Sequence, residues 1–157
     1  MPTSKTDPPP RRGPWPDVPE SRRAIMRSNR RRDTAPELAM RSALHRAGLR
    51  FRVDMPVRPA GHRVVRPDVV FPRRRLAIYV DGCFWHGCPI HGTQARTNAG
   101  YWRAKIAENQ ERDRRITAAL EDDGWIVLRF WEHEEPAEMA ARVAAALRLP
   151  LAHPPIA

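Results

Sequence analysis

Cysteine is scarce in this sequence: two of the 157 residues are cysteine, and both lie in the stretch VDGCFWHGCPIH, Val80 to His91. Two cysteines cannot build a disulfide scaffold, so a small disulfide-rich secreted protein is excluded. Long apolar runs are also missing, because no stretch approaches the roughly 20 residues that cross a bilayer. Residues 1–20 are polar and proline-rich, unlike a signal peptide. We therefore expect a soluble cytoplasmic protein without a membrane partner, and metal binding is the role to test for the cysteines.

Acidic residues are outnumbered, with 18 Asp and Glu against 28 Lys and Arg and a formal net charge of +10. Arginine is far more common than lysine. Because the planar guanidinium group suits phosphate, this surplus favours a polyanionic partner. Codon preference in a GC-rich genome is the alternative explanation of the arginines. The length allows one domain with a single core.

The composition divides the chain into an arm, a domain and a tail. Residues 1–20 hold too few apolar residues and too many prolines to fold, which predicts a disordered basic arm. The domain is predicted over residues 21–148, and residues 149–157 form a short tail. Its first helix begins at Thr34, which has capping-box spacing to Glu37, and ends at Gly48. The later elements are predicted as strands LRFRV (49–53), RPDVVF (66–71) and LAIYV (76–80), a helix over about 101–123, strand WIVLRFW (125–131) and a helix from Pro136.

The two cysteines belong to a metal-ligand pattern. Cys83, Cys88 and His91 are spaced C-x4-C-x2-H, and His133 follows the last strand. Two thiolates and two imidazoles form a tetrahedral zinc set. The pattern predicts a structural zinc that fixes a loop lacking an apolar core. The alternative is two unrelated buried cysteines with surface histidines, and His86 in the same loop could compete as a ligand.

Carboxylates are predicted to meet at the open end of the strand hairpin. Asp68 begins one strand and Asp81 ends the next, so both lie at one edge. Such a pair can hold magnesium, whereas a surface that only binds phosphate would avoid negative charge. Glu37 could complete the site, although its capping position explains it equally well. Asp68 could also be an ordinary residue at the start of a strand.

These motifs together resemble the very short patch repair (Vsr) mismatch endonuclease family. The similarity runs from about Met26 to Glu134 through MRSNRRRDTAPE, RPDVVF, VDGCFWHGCPIH, YWRAKIAENQERDRR and GWIVLRFWEHE. It implies an α/β restriction-endonuclease-like fold, a mixed sheet flanked by helices. It also implies magnesium-dependent nicking of double-stranded DNA 5′ of the thymine in T:G mismatches, which arise when 5-methylcytosine deaminates. A restriction-type nuclease of the same fold and a non-catalytic zinc-stabilised DNA-binding module are the alternatives.

The resemblance assigns roles to individual residues. Asp68 corresponds to the family's metal-binding aspartate, and Val80 to a position whose backbone carbonyl faces the metal. Glu37 corresponds to a helix glutamate near the site. His86 matches the histidine proposed to activate water, and Asp113 matches an aspartate that supports it.

The resemblance also implies a way of recognising DNA. Phe84, Trp85 and Trp102 match aromatics that insert into the base stack, although Trp102 could equally belong to the core. We expect Phe84 and Trp85 at the exposed tip of the zinc loop. The implied partners are DNA with a T:G mismatch, a companion cytosine-5 methyltransferase and mismatch-repair proteins. We expect a monomer in the bacterial cytoplasm, associated with the nucleoid.

Three departures from the family pattern affect the site. Asp81 stands where enterobacterial members have histidine, so we interpret it as a second magnesium ligand, as in PD-(D/E)xK nucleases. The lysine of that broader pattern is missing, with Cys83 in its place, which leaves the proton chemistry to His86. The Cys2His2 zinc set contains less cysteine than the enterobacterial one.

Overall fold

The computed structural model describes residues 32–92 and 95–148. The predicted arm (1–20), the first part of the predicted domain (21–31) and the tail (149–157) lie outside the described residues. The elements are, in chain order, α1 (Ala35–Arg46), β1 (Arg52–Val53), β2 (Val69–Phe71), a 3-10 turn (Pro72–Arg74), β3 (Leu76–Asp81), α2 (Ala99–Asp122), β4 (Ile126–Trp131) and α3 (Pro136–Arg148). Over the described ranges, no helix is both long and apolar enough to span a membrane.

The predicted order of helices and strands is confirmed, with differences at some boundaries. β1 is shorter than predicted, because only Arg52 and Val53 pair with β2. Leu49 and Phe51 pack against the core instead. The long helix begins at Ala99, two residues earlier than predicted. The last helix begins at Pro136, as predicted from the tolerance of the first helical turn for proline.

The four strands form one mixed sheet in the order β1-β2-β3-β4. β1, β2 and β3 pair antiparallel, so the predicted hairpin is confirmed. β4 pairs parallel to β3, from Leu76 opposite Ile126 to Asp81 opposite Trp131. A parallel neighbour requires a crossover connection, and α2 provides it. The carboxyl ends of β3 and β4 therefore lie side by side at one edge of the sheet.

The two faces of the sheet carry different helices. On one face, Ile78 of β3 and Phe130 of β4 pack against α1 and α3, together with Met40 and Val143. On the other face, Ala77 of β3 packs with Leu120 of α2. Because side chains alternate along a strand, Tyr79, Asp81 and Arg129 project toward the α2 face. This alternation delivers polar side chains to the end of the sheet beside α2.

Candidate active site

Asp68 lies at the start of β2, hydrogen-bonded to β3. Its backbone N–H donates to the carbonyl of Ile78 at 2.9 Å, and the N–H of Val80 donates to Asp68 Oδ2 at 2.7 Å. The side chain is half-buried, and Asp81 at the end of β3 is buried. Both aspartates therefore lie at the open end of the hairpin, as predicted.

Asp68 carries a negative charge that its surroundings disfavour. Burial raises its pKa to about 6, although the hydrogen bond from Val80 opposes the shift. The negative charges of Glu37 and Asp81 raise the pKa further. A carboxylate whose ionised form is disfavoured by other carboxylates fits a position completed by a bound cation. Asp68 and the adjacent backbone of Val80 thus form a set of hard oxygen donors suited to magnesium.

Glu37 is buried at the start of α1, and its carboxylate accepts hydrogen bonds from the residues just before the helix and from Arg41 within it. Its Oε2 accepts from the N–H of Asp33 at 2.9 Å and from Arg41 at 3.1 Å, and its Oε1 accepts from the hydroxyl of Thr34 at 3.0 Å. The predicted capping box is therefore altered: Thr34 makes no side-chain bond to the helix N-terminus, and its hydroxyl bonds to Glu37. Glu37 organises the first turn of α1 and also adds negative charge near Asp68.

His86, in the loop after β3, and Asp113 of α2 form a close pair. His86 Nδ1 lies 2.5 Å from Asp113 Oδ2. Burial alone would raise the pKa of Asp113, but the hydrogen bond from His86 and the charge of Arg129 bring it below its usual value. The ionised carboxylate can accept a proton from Nδ1, and in that tautomer Nε2 is the acceptor nitrogen of the ring. The two residues that the resemblance paired are brought together.

Asp81 has a partner that the sequence reasoning missed. Both of its oxygens are bound by Arg129, at 2.8 Å from Nε and 2.9 Å from Nη2. Burial alone would lower the pKa of Arg129, but its bonds to Asp81 raise it, so the guanidinium stays charged. Ligand atoms of Asp81, His86 and Asp113 lie within 4.8 Å of one another, but Asp81 already has a cation. Its role as a second magnesium ligand stays a prediction that this geometry does not favour.

The four predicted zinc ligands converge after β3 and β4. One ligand atom from each of Cys83, Cys88, His91 and His133 lies within 4.8 Å of all the others. Cys83 Sγ is 3.1 Å from His133 Nδ1, and Cys88 Sγ is 3.8 Å from the same nitrogen. Burial raises the pKa of Cys83 to about 11, so its thiol keeps the proton unless a metal replaces it. This donor set fits tetrahedral zinc.

The three aromatic residues expected to insert into the base stack, Phe84, Trp85 and Trp102, pack into a cluster. The rings of Phe84, Trp85 and Trp102 contact one another edge to face at centroid separations of 5.3–5.6 Å. Phe84 and Trp85 are half-buried and Trp102 is buried, so the expectation of an exposed tip is wrong. The physical reason is that the three rings cover one another, and Tyr101 adds a further edge contact to Trp102.

Two side-chain amides of α2 donate hydrogen bonds to the backbone of the loop after β3. Asn109 Nδ2 donates to the carbonyl of Trp85 at 2.9 Å, and Gln110 Nε2 donates to the carbonyl of His86 at 3.1 Å. Gly87 follows with a φ of 66°, and a Cβ there would lie 2.6 Å from Gln110 Nε2. A larger residue there would be strained at this φ and would displace the Gln110 side chain, so glycine favours the close approach of the loop to α2. The sequence carries no local signal for these contacts, because the partners are 24 residues apart.

A mixed sheet flanked by helices, with clustered carboxylates and a histidine–aspartate pair at one edge, is consistent with an α/β nuclease fold. The family model described as DNA mismatch endonuclease Vsr matches residues 17–91. The chain is 48% identical over 122 residues to type II nicking enzyme V.NaeI of Lentzea aerocolonigenes, an alignment covering 78% of this chain and 74% of that protein. The chain therefore belongs to the Vsr family.

Two further relatives support membership of the Vsr family. Type II nicking enzyme V.XorIIP of Xanthomonas oryzae pv. oryzae is 45% identical over 118 residues, covering 74% of this chain and 82% of that protein. DNA mismatch endonuclease Vsr of Escherichia coli K12 is 41% identical over 109 residues, covering 68% of this chain and 66% of that protein. The resemblance seen in the sequence motifs is confirmed at the level of the family.

Removing a zinc ligand should release the metal. We expect purified protein to contain about one zinc per chain, and Cys83→Ser to lose that zinc and melt at a lower temperature, because the loop after β3 would lose the ligand set that ties it to the turn after β4. Elemental analysis and thermal unfolding measure both effects. His86→Ala, in the same loop, is the matched control and should keep its zinc. Unsubstituted protein that is prepared without chelator and lacks zinc would contradict the assignment.

The raised pKa of Asp68 makes metal-free stability depend on pH. The folded state binds the proton more tightly than the unfolded state, so stability falls as pH rises from about 4 to 6. Asp68→Asn should therefore be more stable than unsubstituted protein at pH 7, by roughly 1–3 kcal/mol, and the advantage should shrink toward pH 5. Urea unfolding of zinc-loaded protein without magnesium measures it. A difference independent of pH would refute the perturbed carboxylate.

Magnesium provides a second readout of the same site. Added magnesium should raise the melting temperature of the unsubstituted protein, because a ligand that binds the folded state stabilises it. It should leave Asp68→Asn nearly unchanged. Asp54→Asn, which removes a carboxylate that pairs with Arg32 and Arg66 elsewhere on the domain, is the control and should respond like the unsubstituted protein.

Proposed function

We propose that this protein is a magnesium-dependent endonuclease that nicks double-stranded DNA 5′ of the thymine in a T:G mismatch. The observation that carries the proposal is the His86–Asp113 pair, at 2.5 Å, in a domain that also holds the perturbed carboxylate of Asp68. Membership of the Vsr family supports DNA as the substrate. The relatives named as nicking enzymes support cleavage of one strand, and the Escherichia coli relative named as a mismatch endonuclease supports mismatch recognition.

In this proposal, the metal site consists of Asp68 and the backbone carbonyl of Val80. Magnesium bound there would neutralise the scissile phosphate and stabilise the departing 3′ oxygen. Asp68 is available for this role because its own hydrogen bond comes from a backbone N–H. Glu37 contributes negative charge from α1 while its oxygens stay bound to the helix.

His86 is the proposed general base. With Nδ1–H donated to Asp113, its Nε2 accepts a proton from water, whose oxygen attacks phosphorus while the bond to the 3′ oxygen breaks. The ionised Asp113 stabilises the imidazolium that forms. The departing 3′ oxygen takes a proton from solvent water, and the imidazolium of His86 returns its proton to solvent, so the products are a 3′ hydroxyl and a 5′ phosphate.

Recognition is proposed to depend on the ease of opening a mismatch. A wobble pair stacks poorly, so separating it from its neighbours costs less than opening a matched pair. The cluster of Phe84, Trp85 and Trp102 supplies the rings that would enter the gap. The net charge of +10 favours binding to the phosphate backbone around it. In this scheme, a cytosine-5 methyltransferase supplies the methylated base whose deamination creates the mismatch, and mismatch-repair proteins are proposed partners.

Nicking without mismatch preference is the second candidate. It is favoured by the names of several relatives, which describe type II nicking enzymes. A purely DNA-binding module is disfavoured, because a binding surface has no use for a half-buried histidine–aspartate pair in a domain that also holds a carboxylate of raised pKa. The two nuclease readings differ in one measurable quantity, the ratio of cleavage rates on T:G and matched duplexes.

Loss of His86 should slow cleavage without abolishing DNA binding. In single-turnover reactions with magnesium, we expect His86→Ala to cut T:G duplex about 100- to 10,000-fold more slowly, the usual effect of a lost general base. His62→Ala is the matched control, because that imidazole bonds to the neighbouring carbonyl of Arg63, and the substitution should leave the rate unchanged. Unchanged cleavage by His86→Ala would exclude it as the base. Equal cleavage of T:G and matched duplexes by unsubstituted protein would favour the second candidate.

Trp85→Ala tests whether the Trp85 ring contributes to recognition of the mismatch. Stacking of a ring on a base is worth about 1–3 kcal/mol, so the preference in affinity for T:G over matched duplex should narrow by about 5- to 150-fold. Fluorescence anisotropy with both duplexes measures it, and zinc content should stay normal. Trp125→Ala, which removes a half-buried ring stacked on Arg75, is the control and should leave the ratio intact. An equal loss of affinity for both duplexes would make Trp85 a generic contact.

A further inference from the structure

Arg129 lies at the centre of the polar end of the sheet, where three elements meet. It stands opposite Tyr79 in the β3–β4 register, and its guanidinium lies over the Tyr79 ring at 4.5 Å from the centroid. Its Nη1 lies 3.3 Å from the hydroxyl of Thr117 on α2. The guanidinium therefore bridges the sheet to α2 while its forked N–H groups face carboxylates on both.

The two carboxylates that Arg129 binds are the two that surround His86. Besides its paired bonds to Asp81, Arg129 Nη2 lies 3.2 Å from Asp113 Oδ1. Asp113 thus uses one oxygen for Arg129 and the other for His86 Nδ1. Asp81 Oδ1 lies 3.7 Å from the same nitrogen of His86. His86 therefore has two carboxylates within reach, and Arg129 contacts both.

Either a guanidinium or a metal ion could balance the negative charges of Asp81 and Asp113. Ligand atoms of Asp81, His86 and Asp113 are close enough to share a metal. However, a bidentate arginine–carboxylate pair is strong and directional, and Arg129 already uses both oxygens of Asp81. A metal at this point would have to displace a charged, partly buried guanidinium. The contacts thus favour Arg129 as the resident cation.

We infer that Arg129 is a positioning residue, which occupies Asp81 and orients Asp113 so that Asp113 alone holds His86 through Nδ1. The inference rests on the proposed function, because its purpose is to aim Nε2 of His86 at the reacting water. By binding Asp81 at both oxygens, Arg129 keeps that carboxylate from pulling the imidazole away from Asp113. By binding Asp113 Oδ1, it directs Oδ2 at the ring. Asp81 consequently pairs with Arg129 and is not a ligand of the metal.

Replacing the guanidinium should affect the chemical step more than binding. Arg129→Met keeps a long apolar stem on β4 but removes the charge between Asp81 and Asp113, which would then repel each other. We expect kcat for nicking to fall about 10- to 100-fold, the loss typical of groups that orient a histidine from behind. KM and the Kd for DNA should change by less than about threefold, because Arg129 does not contact the substrate in this assignment. Arg129→Lys keeps a charge without the fork and should retain an intermediate kcat.

Arg142→Met is the matched control. Arg142 also lies over an aromatic ring of β4, at 4.6 Å from the Phe130 centroid, and pairs with Glu134 at 2.8 Å. It belongs to the opposite face of the sheet, away from His86. Removing it tests whether the loss of any arginine packed on β4 is enough to lower kcat. We expect cleavage by Arg142→Met to equal that of the unsubstituted protein.

Proton NMR detects the hydrogen bond between His86 and Asp113 independently of cleavage. A ring N–H held in a short bond to a carboxylate gives a resonance far downfield of the amides. We expect this His86 signal in the unsubstituted protein and in Arg142→Met, with its assignment confirmed by its loss in His86→Ala. It should be missing or shifted upfield in Arg129→Met. Persistence of the signal in Arg129→Met, or an unchanged kcat, would overturn the inference.

The two proposals fail in different ways. If unsubstituted protein cleaves no DNA, the proposed function is wrong, whereas the NMR comparison still decides whether Arg129 orients the pair. If cleavage occurs but Arg129→Met matches the control, only the role of Arg129 is wrong. Should Arg129→Met fail to fold, as judged by circular dichroism and zinc content, Arg129→Lys decides the question in both measurements.

Discussion

The parallel pairing of β3 with β4 is the constraint on which the candidate site depends. The register runs from Leu76 opposite Ile126 to Asp81 opposite Trp131, so both strands end at the same edge of the sheet. The loop after β3 carries two thiols and His91, and the turn after β4 carries His133, so the zinc ligands meet only because the strands end together. The same register brings Arg129 beside Asp81. A slip of one residue would send Arg129 to the opposite face and break both arrangements.

The negative charges of the carboxylates near this edge are accommodated in three different ways, although the protein as a whole is strongly basic. Glu37 is matched by Arg41 and by N-terminal donors of its own helix. Asp81 and Asp113 share Arg129. Asp68 is hydrogen-bonded to a backbone N–H, and burial together with its acidic neighbours raises its pKa. Electrostatics therefore distinguishes Asp68, whose charge is disfavoured by burial and acidic neighbours, from Asp81 and Asp113, whose charges are balanced by Arg129.

Local patterns predicted much of this structure, whereas contacts between distant segments were missed. The helix limits near Thr34 and Gly48, the hairpin and the C-x4-C-x2-H spacing are properties of short segments, and each could be read from neighbouring residues. The role of Arg129 could not, because its partner Asp81 is 48 residues away and their contact depends on the parallel register. One signal was available: a charged residue in the middle of WIVLRFW needs a buried partner. The exposure of Phe84 and Trp85 was predicted wrongly because their cover, Trp102, comes from α2.

The packing of the aromatic cluster bears on how a wedge could discriminate between duplexes. If Trp85 enters the base stack, it must give up edge-to-face contacts with Phe84 and Trp102, each worth about 0.5–1.5 kcal/mol. The stacking gained on a base is of similar size, about 1–3 kcal/mol. The free energy of inserting the ring is therefore close to zero before the cost of separating the bases is included. That cost then decides whether the ring inserts. A ring that was already exposed would enter matched and mismatched sites more readily, whereas a ring withdrawn into a cluster enters only where the stack is weak. If Trp85 is the wedge, the half-buried state of the cluster favours selectivity over affinity, and the bond from Asn109 of α2 to the carbonyl of Trp85 would hold the loop backbone in place while the ring moved.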